Sequence, residues 1–142
     1  MTLEPRPGAT PIDGRTLAKR GFVTVLLSLG TNWIVLWAVL AVGLVRPFDA
    51  LSVPPVTLLT VLGAVGATLA YGMITRLSTT PDRTFTVVAL VVLVLSFLPD
   101  LAILQFDPAA TAPAVAVLAV MHVTVATICI LVLTDARSPL SR

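Results

Sequence analysis

The sequence predicts an all-α fold, a membrane four-helix bundle whose successive helices run up, down, up and down. Four apolar stretches, at about 21–45, 53–75, 85–106 and 113–134, each contain the roughly 20 residues that a helix needs to cross a bilayer. Only 11% of the residues are charged and 57% are hydrophobic, whereas soluble domains carry about 25% charged residues. The segments between the stretches are short, so neighbouring helices are expected to be antiparallel.

The first stretch follows Lys19 and Arg20, as the apolar part of a signal peptide would. That part of a signal peptide is usually about 7–15 residues long, whereas this stretch has about 25 residues. We therefore expect the first span to be retained. The second and fourth stretches open with Pro54-Pro55 and Pro113, and proline is favourable in the first turn of a helix.

Lys and Arg are unevenly divided between the two ends of the predicted spans. Eight of the nine lie in the N-terminal segment, the second loop and the C-terminal segment, and the ninth, Arg46, lies in the first loop. Cytoplasmic loops of membrane proteins carry an excess of Lys and Arg. We therefore expect both termini in the cytoplasm and the protein in the plasma (cytoplasmic) membrane.

The domain organisation is simple, because one bundle accounts for most of the chain. Residues 1–18, rich in Pro, Gly and Thr, predict a flexible cytoplasmic tail, 19–135 the four-span bundle, and 136–142 a short cytoplasmic C-terminal tail. Asp13 is a residue type that caps helix N-termini, which suits a short turn before the first span.

Polar side chains interrupt the spans at Asn32, Ser96, Asp100 and His122. At a rise of about 1.5 Å per residue, Asn32 and His122 lie within roughly 3 Å of the midplane, with Ser96 close by and Asp100 roughly 7 Å towards the outer face. Because the third and fourth helices are neighbours, a contact between Asp100 and His122 is geometrically feasible, directly or through one water. Pro99 predicts a kink beside Asp100.

Two interpretations of this polar cluster stay open. In the first, it is an interhelical hydrogen-bond network that fixes the packing, with each bond contributing about 0.6–2 kcal/mol. In the second, it is a proton relay or a substrate site, because ionisable residues inside a membrane often mark transport pathways.

Small residues line one side of the second span at Gly63, Gly66, Ala67 and Ala70. Spanning helices associate through the close approach that small residues permit, because lipid tails are as apolar as the helices themselves. This face is either the tightest helix contact within the bundle or a homodimer face, and the sequence does not separate the two.

The chain contains no motif that predicts a reaction or a cofactor. It has one His and one Cys, too few for a metal site and for haem ligation by two histidines within one chain. A P-loop, a dinucleotide glycine fingerprint and a nucleophile elbow are all absent from the sequence. We therefore predict no metal, no cofactor and no enzymatic activity. The basic residues flank spans, which suits a membrane and not nucleic acid.

Three short motifs carry a resemblance to a known family: Arg83-Thr-Phe at the start of the third span, Ser96-Phe-Leu-Pro-Asp100 within it, and Met121-His122 in the fourth. With this layout, the chain from about Lys19 onwards resembles an uncharacterised family of small four-span membrane proteins of actinobacteria and haloarchaea, a domain of unknown function. The resemblance implies four spans, no known activity and no catalytic residue.

The sequence thus favours a small multi-pass membrane protein with a structural or accessory role. Its expected partners are the lipid bilayer and either a second copy of the chain or another membrane protein. The alternative is a small proton-coupled transporter or permease subunit that uses Asp100 and His122.

Overall fold

The computed structural model describes residues 12–46 and 49–134, and it is helical along most of that length. Four α-helices follow in chain order: α1 (Gly14–Ala41), α2 (Val53–Leu77), α3 (Pro81–Phe106) and α4 (Ala112–Leu133). A single 3-10 turn, Asp49–Leu51, precedes α2. All four α-helices are long and apolar enough to cross a membrane. The predicted all-α four-helix fold is confirmed.

Helix α1 begins earlier than the apolar stretch suggested. Asp13 is its N-cap and accepts a hydrogen bond from the backbone N–H of Thr16 at 3.2 Å. Because this cap starts a continuous helix at Gly14, residues 14–18 are part of α1 and not of a flexible tail. The remainder of the predicted tails, 1–11 and 136–142, lies outside the described residues.

Helix α1 also ends earlier, at Ala41, through a backbone motif centred on Gly43. Gly43 has a φ of +68°, a conformation that costs glycine least. The Leu44 N–H donates to the Val39 carbonyl at 3.0 Å, and the Gly43 N–H donates to the Leu40 carbonyl at 3.1 Å. This pair of bonds is a Schellman motif, which satisfies carbonyls that the end of the helix leaves free.

The helices alternate in direction, and consecutive helices are neighbours. Leu17 of α1 packs against Gly72 of α2, whereas Asn32 further along α1 meets Thr60, so these two helices are antiparallel. The other contacting pairs are α2 with α3, α3 with α4 and α4 with α1, which close the bundle, and α2 with α4, which touch across it. Helices α1 and α3 lie diagonally across the bundle and make at most marginal contact.

The most extensive interface, between α1 and α2, is built from small and hydroxyl side chains. On α1 the buried face carries Gly21, Thr24, Ser28 and Asn32, and on α2 it carries Thr60, Ala64 and Gly72. Without a hydrophobic force between helices in lipid, close packing of such residues holds spans together.

The small-residue face predicted on α2 needs correction. A Cβ placed on Gly63 or Gly66 would meet nothing within 4 Å, and both glycines are exposed, while Ala67 and Ala70 are half-buried. The buried face of α2 runs instead through Thr60 and Ala64, because Asn32 and Gly21 of α1 approach on that side. Within one copy of the chain, Gly63 and Gly66 are therefore not at a helix contact.

Two apolar clusters flank the middle of the bundle. One lies towards the 41–53 and 106–112 connections and includes Leu36, Val56, Leu118 and Met121. The other lies towards the end of the bundle where α1 begins, and it contains Tyr71, Phe85, Cys129 and Leu133. The Tyr71 and Phe85 rings meet edge to face with centroids 5.1 Å apart.

Two hydrogen bonds tie together the end of the bundle where α1 begins. The Arg20 guanidinium donates to the backbone carbonyl of Leu133 at 2.7 Å, which places a cation at the C-terminus of α4. The Tyr71 hydroxyl donates to the Asp82 carboxylate at 2.7 Å, which links α2 to the first turn of α3.

The same substitution at two glycines tests the α1–α2 interface. In Gly21→Ala the new Cβ would lie 2.5 Å from Thr68 Cγ2, and the Thr68 hydroxyl is held by the Ala64 carbonyl. We expect Gly21→Ala to lower the free energy of unfolding by about 1–3 kcal/mol, as overpacking does. Gly63→Ala should leave it unchanged or raise it by up to about 1 kcal/mol through helix propensity.

Reversible unfolding in mixed micelles measures both values. A larger destabilisation for Gly63→Ala than for Gly21→Ala would contradict this packing and would indicate a close contact at Gly63 with a second copy.

Candidate functional site

Asp100 lies on the side of α3 that faces the rest of the bundle. It is 5% exposed, and Asp100 and Phe85 are the two buried residues of α3. It directly follows Pro99, which has no N–H to offer the carbonyl of Leu95, although α3 continues through it. A carboxyl group inside an apolar span is costly unless the bundle supplies a partner.

His122 of α4 supplies that partner. Its Nδ1 lies 3.0 Å from Asp100 Oδ2 and also 3.0 Å from the backbone carbonyl oxygen of Leu118. A carbonyl oxygen only accepts, so Nδ1 must carry a proton to bond it. That places the ring's free lone pair, in the neutral form, on Nε2. The predicted contact between Asp100 and His122 is therefore present and direct.

The Nδ1–H is directed at the Leu118 carbonyl and not at the carboxyl group. Asp100 Oδ2 is buried and has no aligned hydrogen bond from any described residue, despite its proximity to the ring. Asp100 and His122 are therefore in close contact, but the aligned hydrogen bond of Nδ1 goes to the Leu118 carbonyl.

The pair borders a groove on the outside of the bundle between α3 and α4. The groove has a volume of about 230 Å³ and is lined by Phe97, Asp100, Leu101, Val115 and Ala119. The Phe97 ring also meets the His122 ring edge to face, with centroids 6.5 Å apart and an interplanar angle of 87°. Although Asp100 is among the lining residues, the exposed surface of the groove is apolar.

The other two members of the predicted cluster lie elsewhere, so the expectation of one four-residue cluster needs correction. The Asn32 amide donates to the Thr60 hydroxyl at 2.9 Å, across the α1–α2 interface. The Ser96 hydroxyl donates to the carbonyl of Leu93 in its own helix at 2.7 Å. Asn32 does not join Asp100 because α1 and α3 are diagonal in the bundle.

The Asn32 region forms a second polar layer inside the bundle. Ser28 and Asn32 are 0% and 3% exposed, and Ser28 Oγ and Asn32 Oδ1 find no hydrogen-bond partner among the described residues. If the Asn32 amide is turned over, the nitrogen becomes the atom without a partner, since Thr60 Oγ1 can engage either one. An unsatisfied buried polar group costs about 1–3 kcal/mol.

Sequence reasoning missed Thr60 and Leu118. Thr60 begins a run of small residues at four-residue spacing, Thr60, Ala64, Thr68 and Gly72, and this run was the available signal. Leu118 contributes through its backbone carbonyl, for which a side-chain pattern contains no signal.

A family model matches residues 12–139, which include all the described helices. The chain belongs to DUF6069, a family of unknown function. The predicted membership of a family without assigned function is confirmed, whereas its occurrence in actinobacteria and haloarchaea stays a prediction. No curated protein and no solved structure gives a significant match to the chain. The DUF6069 assignment therefore adds no activity and no site residue to the geometry above.

The single histidine makes the Asp100–His122 geometry directly observable. In protein labelled with ¹⁵N-histidine and reconstituted in lipid, we expect solid-state NMR to show Nδ1 protonated. Because the carboxyl group lies beside that nitrogen, Asp100→Asn should shift the Nδ1 resonance. Asp107→Asn, at the end of the same helix, is the matched control and should leave the resonance in place. A bare Nδ1, or a spectrum unchanged by Asp100→Asn, would contradict the pairing.

Proposed function

We propose that the chain is a non-enzymatic, multi-pass membrane protein with a structural or accessory role. The supporting observation is that polar side chains of the spans pair with side chains of other helices. Asn32 meets Thr60, Asp100 meets His122 and Tyr71 meets Asp82, and each pair joins two helices. Groups arranged in this way hold helices in register, whereas an enzyme needs several polar groups converging on one pocket.

The apolar outer surface of the bundle favours a partner within the bilayer. Large apolar side chains are exposed on all four helices, and α3 buries only Phe85 and Asp100. Lipid covers such a surface, and so does another spanning helix. The partner is either another membrane protein or a second copy, and the exposed Gly63 and Gly66 keep the homodimer alternative in place.

The orientation is part of the proposal. Eight of the nine basic residues lie in the sequence before or early in α1, at the end of α2, at the start of α3 or after α4, which favours both termini in the cytoplasm and location in the plasma membrane. If a reporter fused to the C-terminus were located outside the cytoplasm, that result would contradict this orientation.

The direct Asp100–His122 contact favours a second candidate function, a small proton-coupled transporter or permease subunit. An acidic group and an imidazole 3.0 Å apart can exchange a proton, and intramembrane ionisable pairs often lie on transport pathways. In that role the Nε2 atom of His122 would take up the proton, the Leu118 carbonyl would hold the ring through Nδ1, and the nearby Asp100 carboxyl group would stabilise the resulting imidazolium. The His122 side chain is about one-third exposed, which leaves it accessible.

Proton flux into liposomes separates the two candidates. The wild-type protein, Asp100→Asn and His122→Ala are reconstituted with an internal pH-sensitive dye, and Asp107→Asn serves as the charge-matched control. The structural proposal predicts no flux above that of empty liposomes, together with a lower free energy of unfolding for Asp100→Asn and His122→Ala. Flux in the wild type and in Asp107→Asn that is lost in both other variants would overturn it in favour of the transporter.

A further inference from the structure

A second groove, at the start of α3, exposes both polar and hydrocarbon surface. This Arg83 groove has a volume of about 320 Å³ and is lined by Thr80, Arg83, Thr84, Val87 and Val88. Of these five side chains only Arg83 is charged, so the lining contains a cation and no carboxyl group. The groove therefore favours an anion and offers no partner to an amine.

The guanidinium of Arg83 is available to such an anion. The side chain is exposed, and no described residue forms a salt bridge or a hydrogen bond with it. The carboxylate next to it in the sequence, Asp82, instead accepts a hydrogen bond from the Tyr71 hydroxyl of α2. A guanidinium presents its N–H donors in a planar fork that matches two oxygens of a phosphate. Arg83 can therefore bind a phosphate group without giving up a contact within the bundle.

Thr80 adds a hydroxyl donor to the same groove. It occupies the N-cap position of α3, but its exposed side chain makes no capping hydrogen bond. The backbone that carries it is held in place, because the Thr80 N–H donates to Ser78 Oγ at 3.1 Å and the Thr84 hydroxyl donates to the Thr80 carbonyl at 3.0 Å. A threonine hydroxyl can donate to an anionic oxygen. The groove thus combines a cation and a hydroxyl on an ordered stretch of backbone.

The length of α3 places the Arg83 groove at the membrane surface. Its 26 residues extend about 39 Å at about 1.5 Å per residue, which exceeds a hydrocarbon core of about 30 Å by about 9 Å. Divided equally, this excess is about three residues at each end. Arg83, the third residue of α3, then lies at the boundary with the headgroups. Val87 and Val88 lie about one turn deeper, and Val87 is 55% exposed on the outside of the bundle.

We propose that the Arg83 groove binds the phosphate group of an anionic phospholipid through Arg83 and Thr80, with an acyl chain lying along the two valines. A headgroup without an amine fits best, because the lining has no carboxyl group to receive a positive charge. In the proposed orientation the start of α3 is on the cytoplasmic side, and anionic lipids give the cytoplasmic leaflet its negative surface potential.

The inference goes beyond the structural role and does not depend on proton flux. Lipid binding is measured at equilibrium in micelles, where there is neither a gradient nor a membrane orientation. A failure of lipid binding would therefore leave the structural proposal standing, and a failure of that proposal would leave the lipid site standing.

The test is native mass spectrometry of the full-length protein in uncharged maltoside micelles, titrated with phosphatidylglycerol. Phosphatidylcholine with the same acyl chains is the ligand control, and we expect it to bind more weakly. Arg83→Gln should weaken the affinity for phosphatidylglycerol about fivefold or more, as the loss of a charge-assisted hydrogen bond does, and Thr80→Val should weaken it about twofold. Arg15→Gln should leave it unchanged. This control removes the same charge at the same end of the bundle, but from α1, which is diagonal to α3.

Circular dichroism checks that each variant is folded, and Thr80→Val keeps the test informative if Arg83→Gln is not. Unchanged affinity in folded Arg83→Gln or Thr80→Val would overturn the proposal. Equal weakening by Arg15→Gln, which indicates diffuse surface charge, or equal affinity for phosphatidylcholine would overturn it as well. So would displacement of the bound lipid by inorganic phosphate, since the groove would then be a site for free phosphate.

Discussion

Hydrocarbon cannot hydrogen-bond a polar side chain, and this constraint accounts for most of the bundle's arrangement. A polar group inside a span can bond only to another helix or to the backbone of its own helix, and otherwise it stays unsatisfied. Asn32 finds Thr60, Asp100 finds His122, and Ser96 turns back to its own helix. These two pairs lie on sides of α1, α2, α3 and α4 that face another helix, and large apolar side chains are exposed on the other faces.

The fold was largely predictable because span length and loop length constrain it so strongly. The four helices and their alternation follow from apolar run length and short connections, and prolines mark the first turns of α2 and α4. The ends of α1 were not predicted, because they depend on local backbone chemistry. The Asp13 cap extends the helix towards the N-terminus, and the left-handed Gly43 stops it before the apolar stretch ends.

The site was predictable only in part, because sequence spacing gives the depth of a residue but not the neighbour it meets. Depth placed Asp100 near His122 correctly, since α3 and α4 are consecutive. It also placed Asn32 near them, but Asn32 faces α2. The choice between two small-residue faces of α2 depended on the rotation of the helix. Gly63 looked like the better packing residue, yet the polar row of α1 selects Thr60 and Ala64.

The central claim is that polar pairs between helices stabilise this bundle, and a double-mutant cycle on Asn32→Ala and Thr60→Val in lipid or mixed micelles tests it most directly. Hydrogen bonds between membrane helices give coupling free energies of about 0.6 kcal/mol on average and about 1.7 kcal/mol at most, and we expect a favourable coupling in this range for Asn32 and Thr60. Thr124→Val is the control partner, because its hydroxyl bonds the Val120 carbonyl of its own helix, and it should show no coupling to Asn32→Ala. Additive effects for Asn32→Ala and Thr60→Val would contradict the account.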